Sequence, residues 1–131
     1  MSVEKLTVLI VDDSAQLRTR LNAILHEISC IAPVLNAGNY QEACSVLENT
    51  GIHLAVLDIG LPDRSGIELL KFINQQYPAT KVIIVSNYAN YDYRKVCLLA
   101  GAVRFFDKSH EFDQLAGAIE QLCKELLTTN D

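Results

Sequence analysis

The chain has 131 residues, half of them hydrophobic, with 16 acidic against 11 basic side chains and a formal net charge of −5. A chain of this length forms one domain and buries roughly two-thirds of its unfolded surface, so it needs no disulfide or metal to fold. The acidic balance argues against direct nucleic-acid binding, no apolar run approaches the roughly 18 residues of a membrane span, and the start MSVEKLTVLIVDD lacks a basic segment with a cleavage site, which together predict a cytoplasmic protein.

LTVLIVDD (Leu6 to Asp13) is a short run rich in Val and Ile, the pattern of a strand buried on both faces. SAQLRTRLNAILHEIS then places Leu17, Leu21, Ile24, Leu25 and Ile28 on one helical stripe, with Ser14 as N-cap and Arg18, Thr19 and Asn22 outside it. PVLNAG is a weak strand, and Pro33 assigns it to a sheet edge because proline cannot donate to a ladder. NYQEACSVLENT puts Tyr40, Ala43, Cys44 and Leu47 on one helical face, and LAVLD is the third strand. SGIELLKFINQQYP opens with Ser65 and Glu68 at capping-box spacing and stops before Pro78.

KVIIVSN is the fourth strand, YDYRKVCLLAG a short helix closed by Gly101, and VRFFDK the fifth strand. EFDQLAGAIEQLCKELL reads as the last helix, with Phe112, Leu115, Ala116, Ile119, Leu122, Cys123 and Leu126 on one face and Glu111 and Asp113 in its first turn, where the helix dipole favours anions. Cys30, Cys44, Cys97 and Cys123 form no C-x-x-C pair and read as small core hydrophobes kept reduced. His26, His53 and His110 show no metal-ligand spacing and read as surface or strand-edge residues.

Strands alternating with helices predict an α/β fold: a five-stranded parallel sheet, order 2-1-3-4-5, in a flavodoxin-like doubly wound (βα)5 arrangement. Ligands of such sheets bind beyond the carboxyl ends of the strands, where the order reverses. Asp12 and Asp13 follow the first strand, Asp58 the third, Ser86 and Asn87 the fourth, and Asp107 and Lys108 the fifth. The carboxylates of Asp12, Asp13 and Asp58 should therefore converge and repel one another. A hard divalent cation relieves that repulsion; Mg²⁺ fits best, with Mn²⁺ as an alternative. Asp58 ends an apolar strand on these terms, its head group reaching an edge where a metal and Lys108 meet it. Gly66 lets the next helix start close by.

These segments resemble the receiver domain of bacterial two-component response regulators, through VLIVDD, VLDIGLPDRSG, IIVSN and GAVRFFDK. The resemblance covers about Leu6 to Leu127 and implies one receiver domain over residues 1–131. It implies that Asp58 is the phosphoacceptor and takes its phosphoryl group from a histidine kinase or histidine phosphotransfer protein. Asp12, Asp13, Asp58 and the Gly60 carbonyl would hold Mg²⁺. Ser86, the Asn87 backbone and Lys108 would contact the phosphoryl group, and Ser86 and Phe105 would form the switch, Phe105 turning inward on phosphorylation. Tyr88, Tyr91, Tyr93 and Phe106 would lie on the helix 4–strand 5–helix 5 face that meets a downstream protein or a second copy.

Two features depart from the family pattern. Ser109 stands where proline commonly follows the lysine, usually through a cis bond, and Asn87 is bulkier than the usual Ala or Gly. The chain is either a stand-alone receiver, which the Met1 start and short tail favour, or one cut from a longer protein, and it would catalyse only its own phosphorylation and dephosphorylation. Two rival readings remain: a phosphorylation-independent interaction module, for which Asn87 speaks, and a Mg²⁺-dependent phosphatase with an aspartate nucleophile. The adjacent Asp12–Asp13 pair lacks the D-x-D spacing of the large hydrolase family of that kind.

Overall fold

The computed structural model describes residues 5–87 and 91–128. Five strands, β1 (Leu6–Val11), β2 (Ile31–Ala37), β3 (Leu54–Leu57), β4 (Lys81–Ser86) and β5 (Arg104–Asp107), alternate with helices α1 (Ala15–His26), α2 (Tyr40–Asn49), α3 (Gly66–Gln76), α4 (Tyr91–Leu99) and α5 (Leu115–Thr128). All strand pairs are parallel, and the order is β2-β1-β3-β4-β5, as the sequence predicts. Pro33 lies in the edge strand β2.

The side-chain period of a strand splits the core into two layers. Leu9, Val11, Ala55, Leu57, Val82, Ile84 and Phe105 face α2, α3 and α4. Val8, Ile10, Leu54, Val56, Ile83, Val85 and Phe106 face α1 and α5. Consecutive residues on β5 must point to opposite faces, so Phe105 and Phe106 cannot share a surface. Phe106 is buried among Leu115, Ile119 and Leu122, which removes it from the expected partner face.

Most helix starts follow their caps. Ser14 Oγ accepts from Leu17 N at 3.2 Å, and Asn39 Oδ1 accepts from Glu42 N at 2.8 Å. Ser65 Oγ accepts from Ile67 N at 3.1 Å, but Glu68 does not complete a capping box; its carboxylate pairs with Arg64 at 2.8 Å instead. Gly101 closes α4 with φ 115°, a conformation that glycine adopts without strain.

The last helix starts later than its apolar stripe suggests. Phe112–Gln114 form a 3₁₀ turn, and α5 begins at Leu115. Glu111 stays outside the helix because its carboxylate is held by Arg94 and by the Asp107 N–H. The cysteines also differ from expectation. Cys30 and Cys123 form a disulfide, while Cys44 and Cys97 are free. The residue before β2 and the buried face of α5 approach to 6.4 Å between Cα atoms, a juxtaposition that spacing in the sequence does not reveal. Burial pushes the Cys97 thiol up to about 11, so this side chain behaves as a core hydrophobe.

One contact ties the loop after β3 to α2. Asp63 accepts from Tyr40 N at 2.9 Å and from Gln41 N at 3.0 Å, adding a carboxylate to a helix N-terminus. Desolvation works to raise this carboxyl, but the hydrogen bonds from Tyr40 and Gln41 outweigh it and hold it below its ordinary value. A lowered carboxyl stabilises the folded state above its unfolded pKa, and that contribution is lost as pH falls through the lowered value. Asp63→Ala should therefore be less stable than wild type at neutral pH. The gap should close in acid denaturation series below the ordinary carboxylate range, and a gap independent of pH would contradict this role.

Candidate functional site

The site is assembled by backbone ladders that run past the strand ends. Asp12 N donates to Ala37 O at 3.1 Å, and Asp58 N to Val11 O at 2.9 Å, so both aspartates continue the sheet where β1 borders β2 and β3. On the other side Lys108 N donates to Ser86 O at 3.1 Å, which joins the ends of β4 and β5. The carboxyl edge of the sheet thus presents Asp12, Asp13, Asp58, Ser86 and Lys108 on adjacent strands.

Oxygen atoms of Asp12, Asp13 and Asp58 lie within 4.8 Å of one another. Asp12 and Asp58 are buried, and Asp13 is exposed. Asp12 is the more strongly held. Its Oδ1 accepts from Ser14 N at 2.9 Å, its Oδ2 from Lys108 Nζ at 2.8 Å, and its carbonyl from Arg18 Nη1 at 2.5 Å. Lys108 reaches Asp58 at 3.4 Å, so it bridges the two buried carboxylates and leans toward Asp12. Burial pushes the Asp58 carboxyl up; Lys108 opposes the rise, Asp12 adds to it, and the Gly60 N–H donates to the carboxylate.

Three carboxylates face one ammonium, which leaves a charge deficit that a divalent cation would fill. The donors are hard oxygens on three residues, the set that suits Mg²⁺ with several waters retained. Asp13, exposed at the mouth, is well placed to complete such a site.

The loop after β3 is drawn tightly around Asp58. Gly66 N donates to Ile59 O at 2.8 Å, and a Cβ on Gly66 would lie 1.9 Å from the Asp58 carbonyl oxygen. This close approach fulfils the expectation for Gly66. On the opposite side, Ser14, Gln16, Leu17, Arg20, Asn87 and Lys108 line an open cleft beside the carboxylates. Asn87 is exposed there and takes part in the entrance.

Comparison with known proteins identifies this arrangement. Residues 8–120 match the family model of the response regulator receiver domain. The chain belongs to this family. The receiver is 33% identical over 107 residues to the response regulator protein PilR of Pseudomonas aeruginosa, covering 82% of this chain and 24% of that protein. It is 33% identical over 129 residues to a protein-glutamate methylesterase/protein-glutamine glutaminase of Treponema denticola, covering 95% of this chain and 35% of that protein. The receiver spans only a quarter to about half the length of these and other curated relatives that it matches.

Among solved structures it superposes on a CheY-like receiver domain from Methanospirillum hungatei with a TM-score of 0.85 at 29% identity, covering 96% of this chain and 99% of that one. The response regulator domain of Thermotoga maritima CheB gives 0.82 at 28% identity, covering 97% and 99%. By family the receiver is a phosphoacceptor signalling module of two-component systems. Among the described residues, no helix is long and apolar enough to cross a membrane.

The remaining expected site residues divide. Ser86 is fully buried at the end of β4. Tyr93 is exposed on α4, while Tyr88 and the side chain of Tyr91 lie outside the described residues. Phe105 is 4% exposed and already points into the core, so the inward turn expected on phosphorylation has nowhere further to go in this state. The bond after Lys108 is trans; the cis peptide among the described residues is Ala32–Pro33. The loop is instead shaped by Asp107, whose Oδ1 accepts from Ser109 N at 2.8 Å and whose carbonyl accepts from Glu111 N at 2.8 Å. An Asx turn thus serves where the family uses proline. Sequence reading missed Arg18, Asp63, Arg94 and Glu111. Each acts across tertiary contacts, and no local motif marks it.

Asp13→Ala should weaken Mg²⁺ binding by about tenfold or more, as expected for loss of a metal-directed group. Ser86→Ala should leave it nearly unchanged, since that hydroxyl is not among the clustered donors. A metal titration of both variants checks this, and equal losses would contradict the division of roles.

Proposed function

We propose that Asp58 accepts a phosphoryl group from a phosphohistidine on a histidine kinase or phosphotransfer protein, and that the resulting acyl phosphate resets the α4–β5–α5 surface. An Asp58 carboxylate oxygen attacks phosphorus, the P–N bond of the donor breaks, and the electron pair leaves with the imidazole. The observation that carries this reading is the buried Asp58 carboxylate set within a three-carboxylate cluster, with Lys108 Nζ 3.4 Å away.

Asp12, Asp13, Asp58 and the Gly60 carbonyl would hold Mg²⁺. When bound, the ion neutralises charge on the transferring oxygens. Lys108 can swing from Asp12 toward the new phosphoryl oxygens, and the Ser86 hydroxyl and the Asn87 backbone N–H donate to them. Charge-assisted hydrogen bonds of this kind contribute about 1.5–3 kcal/mol each. Two of them approach the roughly 5.5 kcal/mol that inverts a two-state population.

The output surface lies on α4, where Tyr93, Val96, Leu98 and Leu99 are exposed. A protein partner or second copy meets it, and the receiver works in the cytoplasm, itself catalysing only its own phosphorylation and dephosphorylation. Incubation with an acyl phosphate and Mg²⁺, followed by intact mass, tests the proposal. A phosphoryl adduct supports it. Continuous phosphate release without an adduct points to a phosphatase, and no change at all points to a phosphorylation-independent module; either would overturn it.

A further inference from the structure

We propose that Arg94 is a positioning residue that latches Phe105 in its inward place before any phosphoryl group arrives, with Glu111 as the anchor of the latch. The inference rests on the reading of Phe105 as the switch aromatic of a phosphoacceptor module. Phenylalanine has no hydroxyl with which to fix itself at the surface or in the core. Packing alone would have to hold the ring, and here a cation adds to it.

Arg94 makes three contacts from α4. Its guanidinium carbon lies 4.9 Å from the Phe105 ring centroid, within the range of a cation–π interaction. Its Nη1 donates to Phe105 O at 3.1 Å. Its Nη2 donates to Glu111 Oε1 at 2.6 Å. The same Oε1 accepts from Asp107 N at 2.9 Å, one residue before Lys108. One carboxylate oxygen thus fastens α4 to the β5–α5 loop, and the guanidinium closes over the ring between them.

The pair is partly sheltered from solvent. The side chains of Arg94 and Glu111 are 35% and 28% exposed. Arg94 holds the Glu111 carboxyl below its ordinary value, so the anchor is charged at neutral pH. Two neighbouring charged groups are engaged elsewhere. Asp107 is occupied by Ser109 N and by His110 Nδ1 at 2.9 Å, and Lys108 is turned to Asp12 and Asp58. Among the described residues, Arg94 is the cation that reaches Glu111 and Phe105 together.

This geometry has a consequence for signalling. A ligand moves an equilibrium only by the difference in its affinity for the two states. Where Phe105 is already inward, phosphorylation has little left to shift at that residue, so the resetting of the α4–β5–α5 surface runs through its other residues. Removing the latch should free the ring and make its position depend on the phosphoryl group.

The test uses the full chain labelled with 4-fluorophenylalanine at its four phenylalanines. The Phe105 fluorine resonance is assigned with Phe105→Leu, and its exposure is read from the H₂O/D₂O isotope shift. Wild type should give one buried Phe105 resonance that does not move when acyl phosphate and Mg²⁺ are added. Arg94→Ala should show a several-fold larger isotope shift, reversed by acyl phosphate. Glu111→Gln should shift in the same direction but less, and Arg94→Lys should fall between wild type and Arg94→Ala. A merely structural role would not produce that graded, reversible response. An Arg94→Ala or Glu111→Gln resonance as buried as wild type would overturn the latch; Glu111→Gln keeps the question answerable if Arg94→Ala does not fold. The unphosphorylated spectra read the latch directly, whereas absence of a mass adduct on wild type would overturn the phosphoacceptor reading instead.

Discussion

Asp58→Asn should abolish phosphorylation by an acyl phosphate and leave the fold intact. The amide has the shape of the carboxylate but is too weak a nucleophile to form an acyl phosphate, so the mass adduct should vanish completely rather than decline. Stability should hold or rise. Asp58 is buried beside Asp12, and both burial and that neighbour disfavour its charge. Lys108 loses one partner at 3.4 Å and keeps the nearer one at 2.8 Å. A carboxyl raised in the folded state destabilises the fold when ionised, and this cost disappears as pH falls through the raised value. The advantage of Asp58→Asn, measured by denaturant titration in chelator, should therefore be largest near neutral pH and vanish below the ordinary carboxylate range. Full labelling of the variant, or a loss of several kcal/mol, would show that Asp58 is a structural residue and that the acceptor lies elsewhere.

Gly66→Ala should be the most damaging small substitution near the site. The added Cβ would lie 1.9 Å from Asp58 O, 2.7 Å from Asp58 C and 2.8 Å from Ile59 Cα. All three are backbone atoms, so no rotamer change relieves the clash; either α3 retreats or the segment carrying Asp58 moves. Overpacking of this kind costs about 1–3 kcal/mol where side chains can yield, and a rigid backbone contact belongs at or beyond the upper end. The hydrogen bond from Gly66 N to Ile59 O, 2.8 Å long, would be lost with it. Gly117→Ala supplies the contrast. Nothing lies within 4 Å of its Cβ position in α5, so it should stabilise the chain by roughly 0.5–1 kcal/mol. Urea titrations of the two variants should move in opposite directions. Any folded fraction of Gly66→Ala should also phosphorylate more slowly than wild type, because displacement of Asp58 spoils the in-line geometry. A Gly66→Ala protein with wild-type stability and labelling would refute the account of this loop.

Sequence alone determined the architecture and the chemistry of the edge. Buried strands of Val and Ile alternating with single apolar stripes admit few packings, and Pro33 assigned β2 to the rim. The residue types that end β1, β3 and β5 then had to meet, because parallel strands bring their carboxyl ends to one side. These are local periodicities plus one topological rule, so they are written in the chain.

What only the tertiary structure decided depends on distances between residues remote in sequence. Glu111 looked like a helix-dipole residue, but Arg94, 17 positions earlier, took its carboxylate and moved the start of α5 to Leu115. Asp63, to which the sequence reading gave no role, caps α2 across 23 positions. Cys30 and Cys123 are bonded across 93 positions. Phe105 and Phe106 illustrate the same limit within two residues. Both are apolar, and the resemblance made one the switch and put the other on the adjoining partner face; strand pleating sends one under Arg94 and the other beneath α5. A side chain with several candidate partners chooses by the geometry of the folded chain, and that geometry exists only once the sheet and its two helical layers have closed.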